Sequence, residues 1–189
     1  RDVGADKCAE QSFGVHLIVQ LELHEGRRAV EKAGEFMDRG GLATAWGTSE
    51  WSAQQITEAV WLARSYGLEP PQFEQPQYNM FHRNRVEVDY HPLYAQPYSL
   101  GTTVWSPLAS GILTGKYNDA IPQGSRMTQK GYEWLSGLLE QHRRKGNIEK
   151  VRALTEYAAS KLDCSMTQLA IAWCVKNKHV TTVLLGATH

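Results

Sequence analysis

The chain has 189 residues, with 20 basic and 20 acidic side chains, so its formal net charge is zero. That length allows one domain with a sizeable core, and the charge balance gives no electrostatic basis for binding nucleic acid or an anionic membrane. No apolar run approaches the ~20 residues that a membrane-spanning helix needs. The three cysteines form no CxxC pair and no disulfide framework, which favours the reducing cytoplasm. The seven histidines lack metal-ligand spacing, so we predict no metal site.

Residues 1–40 carry the weakest patterns in the chain. Residues 15–23 are rich in Val, Ile and Leu and predict a strand. Residues 27–39 carry a weak helical stripe of apolar side chains. A regular strand–helix pattern begins only at residue 43.

From residue 43 onward, short strand patterns alternate with helical ones. The predicted strands are apolar, β-branched or aromatic segments between turn residues: 43–48, 72–75, 101–105 and 180–185. The predicted helices begin at Ser52, cover 83–94 and 132–139, and begin again at Asn147 and at Ser165 or Thr167. Strand–helix alternation with buried strands predicts an α/β fold with a parallel sheet.

Three of these helical predictions rest on a specific local mechanism. Ser52 is a good N-cap, and Gln55 three residues later completes a capping box. Pro92 has no N–H group and is expected to bend or shorten the helix over 83–94. Asn147 is expected to cap the helix that follows it.

The stretch after Trp105 carries the residue types of a ligand-binding loop. Pro107 ends the strand, and the small residues after it let a ligand approach the backbone closely: Ala109, Ser110, Gly111 and Gly115. Lys116 then adds a mobile positive charge. An aromatic face, a hydroxyl, backbone amides and a lysine are the parts needed to hold a flat ring joined to phosphates. A strand followed by a Gly-rich connection is the alternative that chemistry alone leaves open. Residues 117–130 are long and irregular enough for a functional loop.

Six short sequence motifs carry a resemblance to a known family. They are Trp46-Gly-Thr-Ser-Glu-Trp51, Glu74-Gln-Pro-Gln-Tyr-Asn-Met-Phe81, Trp105-Ser-Pro-Leu-Ala-Ser-Gly111, Gly115-Lys-Tyr117, Gln168-Leu-Ala-Ile-Ala-Trp-Cys174 and Val183-Leu-Leu-Gly-Ala-Thr188. In this order they resemble the aldo-keto reductase superfamily, closest to voltage-gated potassium channel beta subunits and their plant counterparts. The resemblance covers about residues 41–189.

This resemblance implies a partial (β/α)8 TIM barrel. The repeating units match strands five to eight with their helices, and a full barrel needs ~250 residues. We therefore interpret 1–40 as a divergent N-terminal segment and 41–189 as the C-terminal, cofactor-binding half of the barrel. The sequence has no initiator Met and is expected to be a fragment.

A half-barrel has open sheet edges, and the residues expected to face inward would lack packing partners from the opposite side of the barrel: Trp46, Phe73, Val104 and Leu184. We expect an oligomer, or a chain that depends on the missing strands.

The resemblance also implies a set of residues that bind NADP(H). Ser49 and Gln75 resemble the pair that hydrogen-bonds the nicotinamide carboxamide, and Trp105 resembles the ring that stacks on the nicotinamide. A core tryptophan is the alternative for Trp105, and a turn residue or cap for Ser49. The diphosphate loop is matched by Ser106, Pro107, Leu108, Ala109 and Gly111.

Further cofactor contacts follow from the same resemblance. Lys116 and Arg126 match the basic residues that hold the phosphates near the adenosine, and the two-pronged guanidinium favours a 2′-phosphate, hence NADP over NAD. Gly186 and Thr188 match the start of the last cofactor contact. Glu50 stands where some channel subunits carry Arg, so no charge contact is carried over to it.

The family's catalytic residues have no match in this chain. Carbonyl reduction in the family uses a Tyr proton donor with an Asp, a Lys and a His. No such set of residues precedes residue 41, and neither His16 nor His24 begins the family's His-x-Pro-Asp motif. The predicted function is an NADP-dependent aldo-keto reductase-type oxidoreductase that reduces aldehydes or ketones in its full-length form. The alternatives are a non-enzymatic regulatory subunit that senses NADP(H) beside a potassium channel alpha subunit at the membrane, or a non-functional fragment.

Overall fold

The computed structural model describes residues 16–19, 26–38 and 45–186. In this part of the chain, parallel strands form one sheet in the order of the sequence: β1 (His16–Val19), β2 (Ala45–Ser49), β3 (Phe73–Gln75), β4 (Gly101–Trp105) and β5 (Thr182–Leu184). Each strand pairs with the next one along the chain, so every connection crosses over to return parallel. This is the winding of a (β/α) barrel, and the predicted partial barrel is confirmed.

The longer helices connect or follow these strands. They are α1 (Gly26–Asp38), α2 (Ala53–Ser65), α3 (Trp134–Arg144), α4 (Asn147–Lys161) and α5 (Met166–Lys176). The capping box of α2 is confirmed: the Ser52 hydroxyl accepts from the Gln55 N–H at 3.3 Å, and the Ser52 N–H donates to Gln55 Oε1 at 2.7 Å. Ser165 caps α5 through the same arrangement with Gln168.

Two helical predictions are wrong in detail. Residues 83–94 are not one helix but a π-helical turn (Arg85–Asp89) followed by a 3-10 turn (His91–Tyr94), because Pro92 cannot continue an α-helical ladder. Asn147 does not cap α4. Gly146, whose φ of 64° suits a glycine, precedes the helix, and the Asn147 amide lies 3.0 Å from Nδ1 of His142.

The core lies between the sheet and its helices. Trp46 is fully buried among Val30 and Ile56 of α1 and α2, and its indole N–H donates to the Glu69 carbonyl at 2.8 Å. Val104 is fully buried against the Tyr78 and Cys174 side chains. Trp46 and Val104 therefore face the helices, and the prediction that they point into the barrel is wrong.

The opposite face of the sheet is the inner face of the barrel. Successive side chains of a strand alternate between faces, so Phe73 and Leu184 lie on this side. The Phe73 ring occupies the space beside Gly47, where an added Cβ would come within 2.5 Å of a ring carbon. None of the helices in the described ranges is long and apolar enough to cross a membrane.

Candidate functional site

Three predicted site residues lie where neighbouring strands end at the carboxyl edge of the sheet. Ser49 ends β2 and Gln75 ends β3, and the two are aligned in register. The Ser49 hydroxyl donates to the Gln75 carbonyl at 3.1 Å, and both residues are half-buried. Trp105 ends β4 with 37% of its surface exposed. It is therefore not a core tryptophan, and its ring is accessible at the edge where barrel proteins place their sites.

The Trp105 indole is held by a residue that the sequence interpretation set aside. Its Nε1–H donates to Glu50 Oε1 at 2.9 Å, and the same oxygen accepts from the Gln77 N–H at 2.6 Å. The other carboxylate oxygen of Glu50 pairs with the Arg85 guanidinium at 2.8 Å. Glu50 itself has a φ of 60°, which is uncommon for a residue other than glycine. In the sequence, the position of Glu50 directly after a predicted strand was the signal that could have identified it as a site residue.

The loop after β4 has an unusual backbone. Ser106, Ala109 and Ser110 have φ values of 57°, 47° and 57°, in the left-handed region that normally favours glycine. Such residues cost ~1–3 kcal/mol each and persist only where the surroundings fix them, commonly at binding sites. Here the buried Asn79 fixes the loop, because its amide donates to the Ser106 carbonyl at 3.0 Å.

This loop forms one wall of a cleft of about 500 Å³. Seven predicted site residues line the cleft: Ser106, Pro107, Leu108, Gly111, Lys116, Arg126 and Gly186. Further lining comes from residues that were not predicted, among them Ser125 and Tyr132. Ala109 does not line the cleft but is buried in the core beneath the loop. Thr188 lies outside the described residues.

The cleft also separates the predicted residues into two groups. Ser49, Gln75 and Trp105 lie at the strand ends and do not form its wall. The geometry therefore defines a strand-end group, suited to an amide and a ring, and a cleft group with hydroxyls and positive charges.

Positive charge in the cleft comes from Lys116 and Arg126. Within the described ranges neither side chain has an ion-pair partner. The Arg126 guanidinium lies 4.5 Å from the centre of the Tyr132 ring, and Lys116 Nζ lies 5.0 Å from that of Tyr117. Cations held over aromatic faces keep N–H groups available for an anion.

Two further features suit a phosphate-bearing ligand in the same cleft. The Ser125 hydroxyl oxygen is buried and has no hydrogen-bond partner in the described part of the chain, so a ligand oxygen could satisfy it. Gly111 has a φ of 91°, and an added Cβ would lie 3.3 Å from Lys116 Cε. The residues present fit a dinucleotide diphosphate with an additional phosphate near Lys116 and Arg126.

Glu74 is a buried carboxyl group that the sequence interpretation did not single out. It is fully buried on β3 and accepts from the Thr48 hydroxyl and from the Trp51 N–H at 3.1 Å. Burial, which these hydrogen bonds partly offset, raises the pKa of Glu74 to about 7. Its side chain alternates with that of Gln75 and faces the helices, so it does not belong to the cleft.

No group of His, Cys, Asp and Glu side chains that could hold a metal ion occurs in the part of the chain that the structure describes.

Fold and site together define a segment of a (β/α) barrel with a basic cleft beside the ends of its strands, and comparisons identify its family. A sequence model of the aldo/keto reductase family matches residues 22–189. A probable voltage-gated potassium channel subunit beta from Oryza sativa subsp. japonica is 49% identical over 151 residues, which are 78% of this chain and 44% of that protein. The chain therefore belongs to the aldo/keto reductase family. It spans less than half the length of this relative.

A structural comparison agrees with the fold. The glycerol dehydrogenase of Gluconobacter oxydans superposes with a TM-score of 0.64 at 22% sequence identity, over 91% of this chain and 48% of that enzyme. At this identity the likeness concerns the fold. The match covers about half of that enzyme's chain, which agrees with the partial barrel described above.

Proposed function

We propose that this chain is the cofactor-binding half of an NADP-dependent aldo-keto reductase-type oxidoreductase. The observation that carries the proposal is the cleft, in which a strained loop and a buried hydroxyl lie beside Lys116 and Arg126. NADPH, when bound, supplies a hydride to a carbonyl carbon. The chain's own residues would hold the diphosphate on the Ser106–Gly111 loop, the 2′-phosphate at Lys116 and Arg126, and the nicotinamide at the strand ends.

Preference for NADP(H) over NAD(H) rests on Arg126. Its planar guanidinium can bind two oxygens of a 2′-phosphate at once, and no described carboxylate competes for it. Gly186 borders the same cleft, and Thr188 is proposed to continue that contact.

Titration with NADPH and NADH, followed by nicotinamide fluorescence, tests this proposal. The wild-type chain should bind NADPH more tightly, and Arg126→Ala should weaken NADPH by about 10- to 100-fold, since a charge-assisted contact is worth ~1.5–3 kcal/mol. Arg143→Ala is the matched control, because Arg143 is an exposed arginine at the end of α3, outside the cleft. Equal affinity of the wild type for both nucleotides would contradict the proposal.

The substrate of the complete protein is proposed to be an aldehyde or ketone. Turnover belongs to the full-length protein, because the family's Asp, Tyr, Lys and His have no match here. The protein is proposed to work in the reducing cytoplasm, which suits free thiols such as the buried Cys174.

A second candidate function is a regulatory subunit of a voltage-gated potassium channel that senses NADP(H). The observation that favours it is the 49% identity to a rice protein named as a probable channel beta subunit. This role would place the protein at the membrane through a channel alpha subunit. Co-purification of a full-length version with a channel's cytoplasmic domain, without aldehyde turnover, would favour this function over the enzymatic one.

A further inference from the structure

Glu50 connects three separate segments of the site through one carboxylate. It follows β2, and its Oε1 accepts from the Gln77 N–H after β3 and from the Trp105 indole at the end of β4, at 2.6 and 2.9 Å. Arg85 donates to Glu50 Oε2 at 2.8 Å and to the Glu50 carbonyl at 3.1 Å. Among the hydrogen bonds of the described residues, no other side chain contacts all three segments.

The indole of Trp105 needs such a contact to keep one orientation. Its exposed fraction of 37% means that core packing does not fix the ring from all sides. A hydrogen bond to a charged acceptor is shorter and roughly twice as strong as a neutral one, and it points the ring edge at a defined atom. Fixing the edge of a planar ring also fixes the direction of its face.

The backbone of Glu50 agrees with a positional role. Its φ of 60° is unfavourable for a residue with a side chain, yet it directs the carboxylate toward Trp105 and Gln77. The carboxylate is also partly exposed, with 38% of the side-chain surface accessible, so its pairing with Arg85 contributes little to global stability.

We propose that Glu50 is a positioning residue that orients the Trp105 indole for stacking on the nicotinamide ring. This inference rests on the proposed function, in which Trp105 meets the nicotinamide. It assigns a role to a position that the resemblance left without one. The role predicts that loss of Glu50 affects the nicotinamide end of the dinucleotide and spares the adenosine end.

Two probes separate these ends in binding experiments on the 189-residue chain. NADPH carries both ends, whereas adenosine 2′,5′-bisphosphate carries the adenosine and phosphates without nicotinamide. Glu50→Ala should weaken NADPH about tenfold and change the bisphosphate affinity by less than about twofold. Glu50→Gln keeps an acceptor oxygen for the indole and should restore most of the NADPH affinity.

Glu140→Ala provides a matched control. It also removes a carboxylate paired with an arginine, Arg144, but on the exposed face of α3 away from the cleft. Both probes should bind this variant as they bind the wild type. Equal weakening of both probes by Glu50→Ala would indicate a general structural role and overturn the proposal, as would no weakening of either.

A measurement without nucleotide separates failure of this inference from failure of the proposed function. The indole N–H resonance of Trp105, assigned by its loss in Trp105→Phe, should move in Glu50→Ala and stay in place in Glu140→Ala. A resonance that does not move would overturn the positioning role. If it moves but wild type binds no NADPH, the proposed cofactor is wrong and the positioning role toward nicotinamide fails with it.

Discussion

Glu74 is a carboxyl group without exposed surface, on the strand that also carries Gln75. Its neighbours are a hydroxyl and a backbone N–H rather than a positive charge. Two hydrogen bonds reduce the cost of burying the ionised form but do not cancel it. The consequence is a pKa of about 7, well above the ordinary value of 4.5.

The raised pKa of Glu74 makes a prediction about stability and pH. Between about 4.5 and 7 the folded state holds a proton that the unfolded state has lost, so stability falls as pH rises through this window. The full contribution of protonated Glu74 to the free energy of unfolding is present below pH 4.5 and is lost above pH 7. Glu74→Gln should remove this slope, which amounts to at most ~3 kcal/mol.

Urea unfolding of wild type and Glu74→Gln at several pH values from 5 to 8 measures this difference. Glu58→Gln serves as a control, because that carboxyl group lies on α2 and is exposed. A constant difference between wild type and Glu74→Gln across the range would mean that Glu74 is ionised throughout.

At the scale of one element, α2 depends on its capping box. The side chains of Ser52 and Gln55 satisfy backbone N–H groups that the first turn leaves without helical partners. Ser52→Ala should lower the free energy of unfolding by ~0.5–2 kcal/mol. Chemical denaturation of the two proteins measures it.

Ser136→Ala is the control for the capping prediction. Ser136 is exposed within α3, where alanine is the better helix former, so this change should leave stability equal or slightly higher. If Ser52→Ala and Ser136→Ala behave alike, the capping box contributes nothing measurable.

Some elements were predictable because their signals are local. The capping box of α2 and the bounds of β4 depend on residues within one or two turns of the chain, and both agree with the structure. Asn147 shows the limit of this approach. It is a good capping residue by type, but the preceding Gly146 adopts a φ of 64° and takes the cap position, so Asn147 enters the helix.

At the scale of the whole molecule, the described sheet has two outer strands. Among the described strands, β1 pairs only with β2 and β5 only with β4. At the end of β5, Leu184 and Leu185 are 39% and 54% exposed. Unpaired strand edges beside exposed leucines favour association with further chains.

We therefore expect the isolated chain to self-associate or to need a partner that supplies neighbouring strands. Light scattering should give a mass above 21.2 kDa, and the urea midpoint should depend on protein concentration. Leu185→Lys should reduce association, whereas Val175→Lys, at an exposed position on α5, should not. A monodisperse monomer with a concentration-independent transition would contradict this prediction.

Catalysis is proposed to need the whole barrel. We predict that the chain lacks the family's Tyr proton donor with its Asp and Lys, and loss of a general acid alone removes ~10²- to 10⁴-fold in rate. We expect no aldehyde-dependent oxidation of NADPH by this chain, as followed by absorbance, with a full-length version as the positive control. Turnover at the rate of that control would show that the chain contains its own proton donor.

The sequence by itself determined the strand–helix alternation, the family's sequence motifs and the residue types of the cleft. Hydrophobic periodicity and residue type can be read from neighbouring positions of the chain. Tertiary structure decided the rest. Pairing of strand ends brought Glu50 to the Trp105 indole across 55 positions of sequence, so the position of Glu50 directly after a predicted strand did not reveal its partner. The same pairing turned Trp46 toward α1 and α2, because the face of a strand is fixed by register with its neighbours and not by the hydrophobicity of one residue.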